Sequence, residues 1–202
     1  MPSTEERNAP ALVVPTIRLA VQSDAAQIAA IYRPAVTDSS ISFEVEPPDG
    51  AEMARRIART LARTPWLVCE RGGAIAGYAY ASAHRERAAY RWSVDVSAYV
   101  HADARRVGIG RALYASLLAV LMRQGFRNAY AGVTLPNDAS VALHRAVGFT
   151  PVGVYRGVGY KRGAWHDVAW FERALAPRVA EPSEPVPLPV LDADALRDAL
   201  RA

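Results

Sequence analysis

Residues 93–121 change from one hydrophobic period to another across a short basic turn, and this change constrains the fold more than any other stretch. Apolar residues alternate with polar or aromatic ones over residues 93–100, which predicts a strand. From residue 112 the apolar residues recur at helical spacing, and Gly125 stands where a helix cap is expected. The chain therefore runs from a strand through a turn into a helix.

The turn carries two closely spaced glycines and several arginines. Residues 105–111 read Arg-Arg-Val-Gly-Ile-Gly-Arg. A strand that enters a helix through such a turn directs free backbone N–H groups and the positive end of the helix dipole at one point. That point suits a phosphate group, although an ordinary strand-to-helix turn in an α/β protein has a similar pattern.

The class of phosphate site can be narrowed by elimination. A P-loop requires Gly-x-x-x-x-Gly-Lys-Ser/Thr, and the 202-residue sequence contains no such run. A dinucleotide-binding fingerprint requires a glycine three residues after Gly110, where Leu113 stands. The pattern that remains is Arg/Gln-x-x-Gly-x-Gly, filled by Arg105, Gly108 and Gly110.

Length and composition indicate one globular domain with additional length at both ends. The chain has 202 residues, of which 51% are hydrophobic. Residues 1–14 are polar and contain prolines, which predicts a flexible tail. Residues 15–176 form the predicted domain. Residues 177–202 begin with a proline-rich linker and end in a segment that could form a short amphipathic helix, with no indication of where it would pack.

Charge and cysteine content exclude several classes of protein. The formal net charge is +4, but the arginines are scattered and form no stripe with aromatic residues, so we expect no nucleic-acid partner. The sequence has no run of 18 apolar residues and no secretory signal, so we expect a cytoplasmic protein without a membrane contact. The single cysteine, Cys69, lies in an apolar run and is expected to be a buried thiol. We expect no metal.

The predicted order of elements is strand, helix, helix, three strands, helix, strand, helix, two strands. Pro34 is expected to bend or end the first helix. The other predicted elements are a strand at 15–20, a helix at 49–62, a hairpin of strands 66–70 and 74–83, a strand at 128–134, a helix at 139–147 and strands at 152–160 and 165–173.

A second block supports a family resemblance. Residues 137–149 read Asn-Asp-Ala-Ser-Val-Ala-Leu-His-Arg-Ala-Val-Gly-Phe. Together with the Arg105 turn, this block resembles the two conserved blocks of the GCN5-related N-acetyltransferase (GNAT) superfamily. The resemblance implies an α/β (α+β) fold, with a central mixed, mostly antiparallel twisted sheet that is flanked by helices and splayed at the acetyl-CoA site.

A narrower resemblance suggests a substrate class. Residues 41–44 (Ile-Ser-Phe-Glu) and 90–95 (Tyr-Arg-Trp-Ser-Val-Asp) are similar to segments of the phosphinothricin and methionine sulfoximine acetyltransferases. This resemblance covers roughly residues 17–175. It implies direct transfer of acetyl from acetyl-CoA to the α-amino group of a small glutamate analogue in a ternary complex, by a homodimer. The alternatives are a protein N-terminal or lysine acetyltransferase and a non-catalytic acyl-CoA-binding module.

The resemblance also implies how acetyl-CoA would be held. The strand backbone at 98–100 would pair with the pantetheine amides, and the amides of 106–111 would hold the pyrophosphate. The expected acetyl-CoA-binding residues are Ala98, Tyr99, Val100, Arg105, Arg106, Val107, Gly108, Ile109, Gly110, Arg111, Asn137 and Ser140.

Two residues are expected to take part in the chemistry. Asp95 matches the family's catalytic glutamate but is one methylene shorter, so it would reach the amine through a water molecule; alternatively, it is an ion-paired strand carboxylate. His144 stands where many members have a tyrosine that protonates the departing thiolate; alternatively, it is structural. Asn137, Ser140 and His144 share one helix face, because they are three and four residues apart.

The acceptor is expected to lie between an aromatic wall and basic side chains. Phe43 would form the apolar wall. Arg85, Arg87 and Arg91 could bind a carboxylate or phosphinate by forked hydrogen bonds, although not all three are needed. Arg87 is the first choice and Arg85 the second.

Overall fold

A computed structural model describes residues 15–201, and the tail predicted for residues 1–14 lies outside the described residues. Seven strands form one sheet in the order β1-β2-β3-β4-β5-β7-β6. The strands are β1 (Thr16–Leu19), β2 (Trp66–Arg71), β3 (Ala74–Ala83), β4 (Ser93–Val100), β5 (Asn128–Thr134), β6 (Thr150–Lys161) and β7 (Ala164–Ala174). The helices are α1 (Ala25–Thr37), α2 (Gly50–Leu61), α3 (Ile109–Gln124), α4 (Asp138–Ala146) and α5 (Ala193–Leu200).

The sheet is mixed and mostly antiparallel, which confirms the predicted fold class. All neighbouring strands pair antiparallel except β4 and β5, which are parallel. The hairpin of β2 and β3 and the strand β5 agree with the predicted bounds to within one residue. Helix α3 begins at Ile109, three residues before the apolar periodicity becomes visible in the sequence.

The alternation within the strands gives the sheet two different faces. One face, with Leu67, Val94 and Ala129, packs against α3, whose leucines at helical spacing are fully buried. Burial of each leucine contributes about 1.5–3 kcal/mol, which is enough to fix the helix on the sheet. Cys69 belongs to the same core as a buried free thiol, as predicted. The opposite face carries Tyr78 and is covered by α1 and α2.

The prediction that Pro34 could end the first helix was wrong, because α1 continues past it to Thr37. Proline removes the hydrogen bond to the carbonyl four residues earlier, here that of Ala30. Both Pro34 and Ala30 are exposed, so that carbonyl can be hydrated. Ala35 and Val36 are buried against the sheet, and their packing keeps the last turn helical.

The two parallel strands separate soon after they meet. β4 and β5 pair only over three positions, from Ser93 with Asn128 to Asp95 with Tyr130. Beyond Asp95, β4 keeps its β3 partner up to Val100, but no strand within residues 15–201 pairs with the edge that faces β5. The sheet is therefore splayed from Asp95 onward, as the resemblance implied.

The C-terminal segment is packed on the body of the protein, a position that sequence reasoning left open. Leu188, in a short 3₁₀ turn, and Ala199 of α5 are buried against Val120 of α3. The Gln124 side chain donates hydrogen bonds to the carbonyls of Arg63 and Val186 at 2.8 Å. These contacts tie the proline-rich stretch to the end of α3. Within residues 15–201, no helix is long and apolar enough to cross a membrane.

Candidate active site

The basic turn between β4 and α3 has the geometry of an anion-binding turn. Gly108 caps α3 with a φ of 89°, and Arg106 adopts a φ of 64°, so both lie in the left-handed region. Gly108 tolerates this conformation because it lacks a Cβ. The first N–H groups of α3 have no acceptor within the helix, and the helix dipole adds positive potential at this end. The turn is exposed at Val107, so an anion can approach it from solvent.

Gly110 has a packing role that the sequence pattern does not reveal. A Cβ at this position would lie 3.1 Å from Leu143 Cδ2, which is closer than ordinary contact. The glycine therefore lets α3 approach α4, which carries Leu143. This contact brings the block at 137–149 next to the basic turn.

The predicted pantetheine strand has one free edge. On one side, Ala98, Tyr99 and Val100 pair with β3. On the other side, β5 has separated, and no other strand in the described part of the chain pairs with their backbone. The Tyr99 ring stacks on Tyr78 with the ring centres 5.3 Å apart and packs against the core on the α1 and α2 side of the sheet.

Asn137 and Ser140 are hydrogen-bonded to each other at the start of α4. The Asn137 side chain caps the helix by accepting a hydrogen bond from Ser140 N over 3.1 Å. The Ser140 hydroxyl lies 3.3 Å from His144 Nδ1. The structure thus brings together the three residues whose spacing predicted a common face.

The His144 ring is buried, and both of its nitrogens are hydrogen-bonded. Nδ1 lies 2.7 Å from the Ser140 carbonyl, which can only accept, so Nδ1 carries the proton. Nε2 then accepts from the Tyr114 hydroxyl at 2.9 Å. Burial lowers the pKa of His144, and the hydrogen bond to the Ser140 carbonyl opposes this only in part. A direct role of His144 in proton transfer stays a prediction, with the added constraint that one of these bonds must first open.

Asp95 lies at the point where β4 and β5 separate, and its partner is a histidine that sequence analysis missed. The distance between Asp95 Oδ1 and His84 Nδ1 is 2.6 Å. Burial raises the pKa of Asp95, and the hydrogen bond from His84 opposes that rise. The contact between His84 and Asp95 could have been predicted from the register of β3 and β4. Ser82 is the β3 partner of Asp95, and His84 lies two residues further along the same face.

The three predicted arginines have different surroundings. The Arg85 guanidinium lies over the Trp170 ring, 5.9 Å from its centre, and donates to the His84 carbonyl at 2.8 Å. Arg87 is exposed at the start of the turn before β4. Arg91 forms an ion pair with Glu184 of the C-terminal segment. The structure therefore brings Arg85 to the Asp95 cluster and directs Arg91 to the tail.

An apolar cavity of about 370 Å³ lies on the part of the sheet that α1 and α2 leave uncovered. Phe43 forms part of its wall and packs against the backbone of Gly159. Its role at the acceptor stays a prediction. Trp170 joins the cavity to the Asp95 cluster, because its ring also contacts the edge of His84. The lining residues are Ile41, Phe43, Gly132, Thr134, Tyr155, Val158, Val168 and Trp170.

A lysine holds the segment that carries Phe43. Lys161 Nζ donates to the carbonyls of Val36, Ser42 and Glu44 at 2.6, 2.7 and 2.8 Å. The Val36 carbonyl lies in the last turn of α1, and those of Ser42 and Glu44 lie in the loop between α1 and α2, whereas Lys161 ends β6. The lysine therefore fixes one wall of the cavity relative to the sheet.

Comparison with known proteins agrees with this geometry. The GNAT acetyltransferase domain matches residues 17–170. The phosphinothricin N-acetyltransferase of Streptomyces viridochromogenes is 40% identical over 171 residues, which are 84% of this chain and 93% of the relative. The L-methionine sulfoximine/L-methionine sulfone acetyltransferase of Salmonella typhimurium is 34% identical over 161 residues, 79% of this chain and 94% of the relative.

A solved structure of an acetyltransferase is also similar to this chain. The phosphinothricin acetyltransferase of Sinorhizobium meliloti, in complex with AcCoA, is 39% identical and superposes with a TM-score of 0.80, covering 88% of this chain and 97% of that one. The resemblance inferred from the two sequence blocks is therefore confirmed. Since the domain match spans most of the chain and the relatives are matched over nearly their whole length, this chain belongs to the GNAT family of N-acetyltransferases.

Proposed function

We propose that this enzyme transfers acetyl from acetyl-CoA to the α-amino group of a small amino acid of the phosphinothricin or methionine sulfoximine type. The observation that carries the proposal is the position of Asp95, at the separation of β4 and β5 and beside the apolar cavity. A cofactor arm laid along the free edge of β4 and an acceptor in the cavity would meet at this carboxylate. The substrate class is supported by the similarity to a phosphinothricin N-acetyltransferase and to an L-methionine sulfoximine/L-methionine sulfone acetyltransferase.

The cofactor side of the proposal follows from two sets of backbone groups for which residues 15–201 supply no helix or strand partner. The free amides at the start of α3, with Arg105 and Arg106, would bind the pyrophosphate. The β5-facing edge at 98–100 would bind the pantetheine amides as an added strand does. Asn137 and Ser140 lie at the adjacent start of α4 and would contact the thiol end. Both sets fit the extended, anionic shape of acetyl-CoA.

The reaction needs a neutral amine in front of the thioester. The α-amino pKa of a peptide is near 8, and the carboxylate of a free amino acid raises it, so at pH 7 at most about a tenth of the acceptor is neutral. Asp95 would promote loss of the ammonium proton. The amine nitrogen then attacks the thioester carbonyl in the ternary complex, and the C–S bond breaks as the C–N bond forms. The proton that the nitrogen loses in this step goes to the departing thiolate, so coenzyme A is released as the thiol.

The acceptor carboxylate would be bound by arginine at the rim of the cavity. Arg85 is now preferred over Arg87, because its guanidinium already lies on Trp170 at the cavity wall. Arg87 would contribute from the exposed turn. Arg91 is the weakest candidate, since it is paired with Glu184.

The test is release of free thiol from acetyl-CoA with phosphinothricin, methionine sulfoximine and a panel of other amino acids. We expect turnover with the two analogues and a large loss in Asp95→Asn, with acetyl-CoA binding by calorimetry retained. Turnover confined to peptides with free N-termini or lysines would favour a protein acetyltransferase instead. Binding of acetyl-CoA without turnover of any amine would favour a non-catalytic module.

We also propose that the enzyme is a cytoplasmic homodimer. β6 is exposed along most of its length, with Val152, Val154, Val158 and Tyr160 at the surface, and Trp165 continues this surface at the start of β7. An apolar strand at the edge of a sheet favours association. A second copy covering β6 would also close the cavity at Tyr155 and Val158. Sedimentation velocity tests this, and Val154→Lys should shift a dimer toward monomer; a monomeric parent protein would refute it.

A further inference from the structure

His84, which no sequence pattern singled out, is the direct partner of the proposed catalytic carboxylate. Its Nδ1 lies 2.6 Å from Asp95 Oδ1, a distance typical of a short, charge-assisted hydrogen bond. The side chains are only partly buried, with 14% of His84 and 29% of Asp95 exposed. The pair therefore stands at the wall of the cleft, where an acceptor can reach it.

Aromatic neighbours fix the orientation of the imidazole ring. It stacks on Tyr130 with ring centres 4.5 Å apart, and it meets Trp170 edge-on at 6.3 Å. Tyr130 is the β5 partner of Asp95 at the last paired position before the strands separate. Because Nδ1 is directed at Asp95, Nε2 is on the far side of the ring. Among residues 15–201, no hydrogen-bond partner is found for Nε2, and it is not among the buried polar atoms without a partner.

We propose that His84 is the general base of the reaction and that Asp95 positions it. This inference rests on the proposed function and states which group accepts the ammonium proton of the acceptor. The acceptor's N–H bond breaks, a bond from the proton to Nε2 forms, and the positive charge moves from the ammonium to the imidazolium. The Asp95 carboxylate accepts the Nδ1–H bond and stabilises that charge. The neutral amine attacks the thioester, and the second proton that its nitrogen loses as the C–N bond forms goes to the departing coenzyme A thiolate. The imidazolium proton then leaves to solvent as the acetylated amine is released.

The arrangement also accounts for the short side chain of Asp95. A carboxylate one methylene shorter than glutamate reaches less far into the cleft, and the imidazole extends that reach by the width of the ring. Imidazole is the most frequent general base in enzymes, and its ring nitrogen accepts a proton from an ammonium group more readily than a carboxylate oxygen does.

Other titratable groups surround the pair and bear on its pH dependence. The charge of Arg85 lowers the pKa of Asp95. The charge of Asp95 in turn contributes to the raised pKa of Tyr80. Tyr90 and Tyr130 face the His84 ring. Burial raises the pKa of Tyr130, Glu172 adds to this rise, and Arg178 opposes it.

Two substitutions separate proton transfer from simple positioning. His84→Asn keeps an N–H donor at the position of Nδ1 and so keeps the contact with Asp95, but it removes Nε2. His84→Phe keeps the stacking on Tyr130 and removes both nitrogens. Thermal melting and acetyl-CoA calorimetry verify that each variant is folded and binds the cofactor. The measurement is kcat/KM for phosphinothricin or methionine sulfoximine at pH 7 and pH 9.

We expect His84→Asn to lower kcat/KM at least about tenfold at pH 7. The ratio of parent to variant kcat/KM should fall about tenfold by pH 9, because a larger fraction of the acceptor amine is already deprotonated in solution. His84→Phe should behave alike. A deficit that is equal at both pH values, or no deficit at all, would overturn the assignment, because loss of a merely structural contact does not depend on the ionisation of the acceptor. Failure of the parent enzyme to acetylate any amino acid would refute the proposed function instead.

Discussion

The Tyr114 hydroxyl donates a hydrogen bond to His144 Nε2 over 2.9 Å, inside the core between α3 and α4. The donor must be the hydroxyl, since His144 Nδ1 already gives its proton to the Ser140 carbonyl. The ring also stacks on Phe171, with centres 5.7 Å apart. A histidine held in this way stabilises the fold in its neutral form, and protonation of the ring would break the bond from Tyr114.

The first prediction concerns stability at mildly acidic pH. Burial lowers the pKa of His144 in the folded protein below the value near 6.5 of the unfolded chain. Between these two values the unfolded chain binds the additional proton, so the free energy of unfolding falls as the pH decreases below about 6.5. This single group contributes a slope of at most about 1.4 kcal/mol per pH unit. His144→Phe should remove that contribution, as measured by urea unfolding at pH 5, 6 and 7; identical slopes in both proteins would contradict the prediction.

The second prediction concerns the lysine that holds the Phe43 segment. Lys161→Met removes three hydrogen bonds to main-chain carbonyls. Hydrogen bonds from a charged group each contribute about 1.5–3 kcal/mol, so the loop should lose its fixed position. We expect a raised KM for the amino acid and an unchanged Kd for acetyl-CoA.

Arg162→Met is the matched control for this change. Arg162 is the next residue and makes one exposed hydrogen bond, to the Thr37 carbonyl. Steady-state kinetics should give a much smaller change in KM for this variant. Equal effects of the two substitutions would show that Lys161 has no special role in the cavity wall.

The third prediction concerns the basic turn. Gly108 has a φ of 89°, and among the residues that the structure describes no atom outside its chain neighbours lies within 4 Å of the position of an added Cβ. Gly108→Ala therefore strains the backbone without a steric clash, at a cost of about 1–2 kcal/mol. We expect weaker binding of acetyl-CoA by calorimetry, because the amides of the turn lose their common direction. Gly153→Ala, in an open position without a positive φ, should leave the Kd unchanged; an equal loss there would argue against the turn as the pyrophosphate site.

The sequence was most informative where a local period determines structure. β4 was predicted at residues 93–100 and is observed at Ser93–Val100. The prediction succeeds because the alternation of apolar and polar residues is visible in consecutive positions of the sequence. The glycine turn and the cap at Gly125 could also be predicted from local sequence, because each requires a left-handed backbone that favours glycine. Asp95 was found by matching it to a family block, not from its surroundings.

Contacts between distant residues could not be read in this way. His84 meets Asp95 only after β3 and β4 adopt their register, and nothing around His84 in the sequence resembles a base. Arg91 was a candidate for the acceptor site, but its partner is Glu184, 93 residues further along the chain. His144 was placed on the correct helix face, yet spacing alone does not tell whether that face is turned toward a cleft or into the core.

The last prediction concerns the C-terminal segment, which lies outside the residues matched by the family domain. Leu188 is 5% exposed and packs against Val120, and its backbone N–H donates to the Arg63 carbonyl over 3.0 Å. Leu188→Ala leaves a cavity at this contact and should lower the free energy of unfolding by about 2 kcal/mol, as measured by urea denaturation. Val190→Ala, two residues away and 69% exposed, should change it by less than about 0.5 kcal/mol. Since α3 begins at the basic turn and ends under this segment, a Leu188→Ala variant as stable as the parent would mean that the segment does not support α3 in solution.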